Sequence, residues 1–196
     1  MPGAGQRDPN ALLGPVAVLL PVKSFAEAKL RLAPALGPAG RKALARDMAT
    51  HVLGCAGSLP VAVVCDDVEV ATWARQHHAL VVWEPERGLN RAVEAGVERL
   101  AAEGVERVVV AHADLAFASE LGWVADFGGV TLVPDRRDNG TNVIGLPAAS
   151  GFAFSYGPGS FARHQAEAHR LGLPLRIARA PDLARDVDLP SDLATQ

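Results

Sequence analysis

Short runs of uninterrupted apolar residues, such as Val61–Val64 and Val108–Val110, constrain the fold of this chain more than any other feature. A strand with one face in solvent alternates apolar and polar residues, whereas a continuous apolar run is typical of a parallel strand covered on both faces. Stretches with helical patterns separate these runs, as in βαβ units. The sequence therefore predicts a single-domain α/β fold with a mostly parallel central sheet flanked by helices.

The predicted elements alternate regularly up to Asp114 and less regularly after it, so we expect the second half to carry substrate-facing elements. Strands are predicted at Val16–Leu20, Val61–Cys65, Leu80–Trp83, Arg107–Ala111, Val130–Val133, Val143–Leu146, Phe152–Phe154 and Leu175–Ala178, and helices near Ala39–Cys55, Val68–Gln76, Asn90–Ala102 and Ser160–Leu171.

Length and composition limit the alternatives. The 196 residues suit one domain, with 15–196 as its extent and 1–14 as a flexible leader without the pattern of a secretory signal. No apolar run approaches the roughly 20 residues of a membrane span, so we expect a cytoplasmic protein that does not bind membranes. A net charge of −3 makes a nucleic-acid polymer an unsuitable partner. Cys55 and Cys65 lack CxxC spacing and are predicted to be buried thiols.

Charged residues follow three predicted strands at Lys23, Asp66–Asp67 and Asp114. The carboxyl ends of parallel strands meet at one edge, where ligands of such sheets bind. Asp114 there, together with the Asp186-Val187-Asp188 run, offers carboxylates of the kind that magnesium takes. The alternative is that these aspartates cap helices, and for Asp188 we favour the cap.

Three cations, Lys23, Lys29 and Arg31, follow the first strand and could hold a triphosphate, although a solvated helix face explains them equally well. The chain has no Walker run and no G-x-G-x-x-G, which excludes P-loop and Rossmann dinucleotide sites.

Glycines and a serine in Gly157-Pro158-Gly159-Ser160 stand immediately before a predicted amphipathic helix. If Ser160 caps that helix, the free N–H groups of its first turn form an anion site, to which Thr141 could add a hydroxyl. The alternative is an ordinary capped helix beside a surface turn.

Taken together, these runs resemble one family, the guanylyltransferases of coenzyme F420 biosynthesis, which are relatives of the molybdenum-cofactor guanylyltransferases and have a compact nucleotide-diphospho-sugar-transferase fold. Each run is weak alone, but their order and spacing are specific and cover most of the chain. They are Pro21-Val22-Lys23-Ser24-Phe25, Ala28-Lys29-Leu30-Arg31-Leu32, Gly88-Leu89-Asn90-Arg91-Ala92, Ala113-Asp114-Leu115, Pro134-Asp135-Arg136, Gly140-Thr141-Asn142, Gly157-Pro158-Gly159-Ser160-Phe161 with His164, and Asp186-Val187-Asp188.

The resemblance implies that residues 15–196 are a nucleotidyltransferase domain acting on GTP and a small phosphorylated acid. It implies roles for nine residues: Thr141, Gly157 and Ser160 for the acid, Lys23, Lys29, Arg31 and Asn90 for the nucleotide, and Asp114 and Asp186 for Mg²⁺, with Lys23, Asp114 and Asp186 as the catalytic set. The chain departs from the family pattern at Ala116, where proline is usual, and at Leu189-Pro190-Ser191, where Thr-Pro-Glu is usual.

The reaction implied by the resemblance is attack of a phosphoenolpyruvate phosphate oxygen on the α-phosphorus of GTP, giving enolpyruvyl-diphospho-guanosine and pyrophosphate. The alternatives are 2-phospho-L-lactate or 3-phosphoglycerate as the acid, CMP or GMP transfer to another acceptor, and a nucleotide-binding subunit without activity. Further expected partners are the downstream transferase that accepts the activated product and a second copy of the chain in a homodimer.

Overall fold

The computed structural model describes residues 13–85, 88–188 and 190–193, which contain one seven-stranded sheet with helices on both faces. The strands are β1 (Val16–Pro21), β2 (Val61–Cys65), β3 (Leu80–Trp83), β4 (Arg107–Ala111), β5 (Val130–Pro134), β6 (Thr141–Pro147) and β7 (Leu175–Ile177). The helices are α1 (Pro38–Gly54), α2 (Val68–Gln76), α3 (Leu89–Ala102), α4 (Ser160–Arg170) and α5 (Pro190–Leu193), and 3-10 turns cover Leu30–Leu32 and Gly122–Ala125.

The strand order is β3-β2-β1-β4-β6-β5-β7, and within the described part of the chain only β6 runs antiparallel to its neighbours. The predicted mostly parallel sheet is therefore confirmed. Because β6 returns directly from β5, the connecting residues 135–140 lie at the same edge as the carboxyl ends of β1, β2 and β4.

Side chains of the sheet fill two separate cores. In β1, Val18 and Leu20 face the core that α1 and α2 cover, whereas Ala17 and Leu19 face the core that α3 and α4 cover. All four are fully buried. Burial on both faces is the reason that the strand is apolar at every position instead of at every second one.

The strand predicted at Phe152–Phe154 does not form. The backbone N–H groups of Ala153 and Ser155 donate to side chains of α4, Glu167 Oε1 at 2.9 Å and His164 Nε2 at 3.0 Å. With these donors already satisfied by side chains, the segment has no need of a neighbouring strand. Its two phenylalanines are buried in the second core, which explains the apolar pattern.

Three further predictions concern the cysteines, a membrane span and the leader. Cys55 and Cys65 are buried free thiols, as predicted. Among the described residues no helix is long and apolar enough to cross a membrane. The predicted leader lies outside the described residues up to position 12, and Leu13 packs partly against the second core.

Gly145 in β6 leaves room for the 3-10 turn above it, since a Cβ at this position would lie 2.5 Å from the carbonyl oxygen of Val124. We expect Gly145→Ala to lower the free energy of unfolding by about 1–3 kcal/mol, because backbone cannot move aside cheaply. Gly128→Ala is the matched control, because no atom would lie within 4 Å of the added Cβ. Its free energy of unfolding is expected to change by less than about 1 kcal/mol. Urea denaturation of both variants checks this, and equal losses would contradict it.

Candidate active site

Two cavities open beside each other at the carboxyl edge of the sheet. The larger, about 470 Å³, is lined by the β5–β6 connection, residues 156–160 and the chain near Asp186, and we call it the loop cavity. The smaller, about 340 Å³, is lined by residues 21–29 and by α1, and we call it the β1 cavity. They share a wall formed by Leu89, His112, Asp114 and Asp188. Two bound molecules would therefore meet at a pair of carboxylates.

Lys29 binds the two carboxylates of that wall from the side of the β1 cavity. Its Nζ lies 2.6 Å from Asp114 Oδ2 and 2.8 Å from Asp188 Oδ1, and its side chain is only 7% exposed. The Lys29 backbone is left-handed, with φ at 56°, a conformation that costs a residue with a Cβ about 1–3 kcal/mol. The two ion pairs hold this lysine in the strained conformation. Of the three predicted cations, it is the one that the fold buries.

The charges of this wall perturb one another. Burial alone would raise the pKa of Asp114, but the charge and hydrogen bond of Lys29, together with the nearby His112 and a backbone hydrogen bond, hold that pKa below its ordinary value. Burial alone would lower the pKa of Lys29, and its two carboxylate partners raise it above the ordinary value instead. Both groups are therefore charged at neutral pH.

Asp186 completes the cluster, since it also lines the loop cavity. Burial, and next the negative charge of Asp114, raise its pKa above the ordinary value. One ammonium thus faces three carboxylates. Within residues 13–85, 88–188 and 190–193, no three His, Cys, Asp or Glu side chains are close enough together to form a metal site by themselves.

The structure gives Asp188 a role besides the predicted helix cap. Its carboxylate binds Lys29 and lies 3.6 Å from Arg31 Nη1, and its own N–H donates to Asp192 Oδ2 at 3.0 Å. Asp188 therefore belongs to the charged cluster, and it is Asp192 that reaches back from α5.

Ser160 does not cap α4, contrary to the prediction. Gly159 holds that position with φ at 76°, and Ser160 is the first helical residue. The N–H groups of Gly159, Ser160 and Phe161 donate to Asn139 Oδ1, Gly157 O and Asn139 O, so most of the first turn is already satisfied. The prediction that free N–H groups of this first turn form an anion site is therefore wrong.

Three other donors remain at the loop cavity. The Ser160 hydroxyl and the Gly157 N–H have no hydrogen-bond partner in the described part of the chain, and there the Thr141 hydroxyl has one partner, His164. The structure brings these three predicted residues together around one cavity. They can donate three hydrogen bonds to one anion.

Asp135 shapes the β5–β6 connection, whose Asn139 binds the chain beside these donors. Its carboxylate accepts the N–H groups of Arg137, Asn139 and Gly140, each at 2.9 Å. Arg136 and Arg137 consequently lie at the cavity, with Arg136 Nη2 bound to Asp192 Oδ1 at 2.8 Å. The arginines add positive charge to the lining of the loop cavity.

The remaining nucleotide-binding predictions fall in different places. Lys23 is exposed and lines the β1 cavity, as the prediction requires. Arg31 has a side chain 76% exposed and lines the loop cavity instead. Asn90 lines neither cavity, and its Oδ1 accepts the N–H of Tyr156 at 2.6 Å.

His112 is a site residue that the sequence reasoning passed over. It lines both cavities, and its Nε2 is buried without a partner among the described residues. Its position directly after β4 and two residues before Asp114 was the available signal, since strand ends carry the ligand-binding residues of such sheets.

The sequence is similar to a known family of proteins. The family model described as "Guanylyl transferase CofC like" matches residues 16–195, nearly the whole chain. The chain belongs to this family. Two relatives named phosphoenolpyruvate guanylyltransferase agree: one from Sphaerobacter thermophilus is 36% identical, covering 89% of each chain, and one from Conexibacter woesei is 37% identical, covering 89% of this chain and 84% of the relative.

A solved structure from Desulfovibrio desulfuricans, assigned as a nucleotide-diphospho-sugar transferase, superposes with a TM-score of 0.74 at 16% identity and covers 91% of this chain and 84% of that chain. At this identity the likeness concerns the fold, and it confirms the predicted nucleotide-diphospho-sugar-transferase architecture of this guanylyl transferase family member.

Lys29→Met should lower the free energy of unfolding at pH 7 by about 1–3 kcal/mol, because it leaves the partly exposed Asp114 without its cation and Asp188 with only the exposed Arg31. The pKa of Asp114 is lowered and that of Lys29 is raised, so the pair stabilises the fold fully between about pH 4 and pH 10. The loss should therefore shrink as the pH falls through the folded-state pKa of Asp114.

Lys42→Met is the control, since Lys42 forms an exposed pair with Glu69 at 2.8 Å and should cost under about 1 kcal/mol. Urea titrations at several pH values measure both variants. A loss for Lys29→Met that is no larger than the control, or that grows in acid, would contradict the assignment.

Proposed function

We propose that this chain transfers GMP from GTP to phosphoenolpyruvate and releases pyrophosphate, as an activating step of coenzyme F420 biosynthesis. The observation that carries the proposal is the shared wall of the two cavities, where Asp114 and Asp188 face both and Lys29 binds the two carboxylates from the β1 cavity. Family membership and the names of the relatives support the same reaction. A transferase with two substrates needs this arrangement, in which the reacting atoms meet at one charged wall.

We assign the acid to the loop cavity. Its donors, the Thr141 and Ser160 hydroxyls and the Gly157 N–H, suit phosphate or carboxylate oxygens, and Arg137 adds positive charge beside them. These features support the predicted acid-binding roles of Thr141, Gly157 and Ser160.

We assign the nucleotide to the β1 cavity. Lys23 lies at its mouth and Lys29 at its wall, so the triphosphate would run between them toward Asp114. Arg31 borders the other cavity and would approach the reacting phosphates from the acid's side. Asn90 is given an indirect role, because its contact with Tyr156 holds the chain that leads to Gly157.

The residues present fit Mg²⁺. Magnesium is commonly held by one or two carboxylates and completes its shell with water and substrate phosphates, so it needs no cage of three side chains. Asp114 Oδ1 is buried without a partner in the described residues, and burial and the charge of Asp114 raise the pKa of Asp186, so a nearby cation would favour its ionised form. Asp114 and Asp186 would hold the ion, which would neutralise charge on the phosphates.

In the reaction, a phosphate oxygen of phosphoenolpyruvate forms a bond to the α-phosphorus of GTP, and the bond from that phosphorus to the pyrophosphate oxygen breaks. The phosphate is already a competent nucleophile, so no side chain must remove a proton. Lys23 and Lys29 stabilise charge on the nucleotide phosphates, and the loop cavity aligns the acid for in-line attack.

A nucleotide-binding subunit without activity remains the rival function. It predicts GTP binding without release of pyrophosphate, and the charged wall argues against it, because binding alone would not need carboxylates facing both cavities. Cytoplasmic location, a homodimer and contact with a downstream transferase stay predictions.

Asp114→Asn and Asp186→Asn should each lower kcat by at least about 100-fold, because each removes a metal-binding oxygen at nearly constant volume. Asp47→Asn, at an exposed position of α1, is the matched control and should leave kcat within about twofold. Pyrophosphate release from GTP with phosphoenolpyruvate measures all three, and thermal melting establishes that they fold. Near-normal turnover of Asp186→Asn would remove Asp186 from the metal site.

Phosphoenolpyruvate should be preferred over 2-phospho-L-lactate by about 10- to 200-fold, because the two acids have similar shapes and differ little in what a pocket can hydrogen-bond. Competition of the two acids for limiting GTP, scored by product mass, measures the ratio. A product consisting mainly of lactyl-diphospho-guanosine would overturn the choice of acid and leave the reaction class intact.

A further inference from the structure

His164 of α4 is fully buried and lies directly behind the loop cavity. Its Nδ1 is 3.0 Å from the Thr141 hydroxyl, and its Nε2 is 3.0 Å from the backbone nitrogen of Ser155. One imidazole thus joins β6, which carries Thr141, to the segment that leads to Gly157. The predictions from sequence gave this histidine no role of its own.

The contacts determine where the imidazole proton lies. A backbone N–H can only donate, so Nε2 must accept from Ser155 and cannot carry a proton. Burial, and next the positive charge of Arg163, lower the pKa of His164 to about 4, so the ring is neutral at pH 7. Its single proton is therefore on Nδ1, and Nδ1–H donates to Thr141 Oγ1.

This donor fixes the direction of the Thr141 hydroxyl. Oγ1 accepts from Nδ1, and it has no other partner in the described residues, so its own hydrogen is left for the loop cavity that it lines. If Nδ1 of His164 carried no proton, the Thr141 hydroxyl would donate to it, and only an oxygen lone pair would face a bound anion.

We infer that His164 is a positioning residue of the acid subsite: it orients the Thr141 hydroxyl so that its hydrogen donates to an oxygen of the phosphorylated acid. The identity of that acid rests on the proposed function, whereas the orientation of the hydroxyl does not.

Aromatic neighbours hold the imidazole in this orientation. The ring centroid of His164 lies 5.0 Å from Tyr156 at 76° and 5.7 Å from Phe152. Phe154 stacks on Tyr156 and closes the same side. A ring flip, which would exchange the two nitrogens, has to displace this cluster, so the donor to Thr141 is already in place before the acid binds.

A purely structural role is the competing explanation, in which His164 serves to satisfy the Ser155 N–H. Two substitutions separate the roles, because each retains one of the two contacts. Asn places its amide nitrogen near the position of Nδ1 and keeps the donor to Thr141. Gln places its amide oxygen near the position of Nε2 and keeps the acceptor for Ser155.

If His164 positions the hydroxyl, His164→Gln should raise the KM for phosphoenolpyruvate by about 5- to 30-fold with the KM for GTP unchanged, as expected for the loss of one hydrogen bond to a charged group. His164→Asn should stay within about threefold of the wild type. A structural role predicts the opposite order, with the Asn variant worse because it frees the Ser155 N–H.

Thr141→Val supplies the test of coupling. It removes the hydroxyl, so adding His164→Gln to it should change the KM for phosphoenolpyruvate no further. Additive effects of the two substitutions, or an equal rise in both Michaelis constants, would overturn the inference. Thermal melting of each variant establishes whether it folds.

Nitrogen-15 NMR of the wild-type imidazole tests the same inference without any variant and without turnover. The expected spectrum shows His164 protonated on Nδ1 and not on Nε2 at about pH 7, unchanged on addition of phosphoenolpyruvate. An Nε2–H tautomer or an imidazolium would overturn the inference even if every variant failed to fold. If the tautomer is as expected but the wild type neither binds nor consumes phosphoenolpyruvate, the proposed function fails and the orientation of Thr141 stands.

Discussion

The ammonium of Lys29 is the interaction on which the rest of the site depends. It binds Asp114, 85 positions away along the chain, and Asp188, 159 positions away, so one charge joins the segment after β1, the end of β4 and the C-terminal segment. Without it, carboxylates from two distant parts of the chain would face each other across a partly buried wall. The strained backbone of Lys29 places the ammonium there, and the ion pairs offset the strain.

The opposite side of the site is built by hydrogen bonds from backbone N–H groups to side chains. Backbone N–H groups of residues 153, 155 and 156 donate to Glu167, His164 and Asn90, side chains of α4 and α3. Long-range electrostatics therefore sets the reacting wall, while directional hydrogen bonds set the acid pocket. This division suits a reaction in which charge must be neutralised at one point and a small molecule must be aligned beside it.

The sequence predicted the elements whose pattern is local. Continuous apolar runs predicted the parallel strands, because a strand that is buried on both faces needs an apolar residue at every position. It also placed Asp114 at a strand end beside the cavities. It failed at Phe152–Phe154 and at the cap of α4, where distant side chains satisfy the backbone, and at the Asp188–Lys29 pair, since no local pattern reports a partner so far along the chain.

The negative charge of the site would repel its two anionic substrates. Lys29, already paired with Asp114 Oδ2 and Asp188, cannot also neutralise Asp186, and Arg136 is bound to Asp192. Two anionic substrates entering such a wall would meet three carboxylates and one committed ammonium. A cation on Asp114 Oδ1 and Asp186 would remove that repulsion and, by taking over part of the charge of Asp114, would loosen Lys29 toward the nucleotide phosphates. Such a cation would help both anionic substrates approach the wall, whereas Lys29 stabilises Asp114 and Asp188 without it.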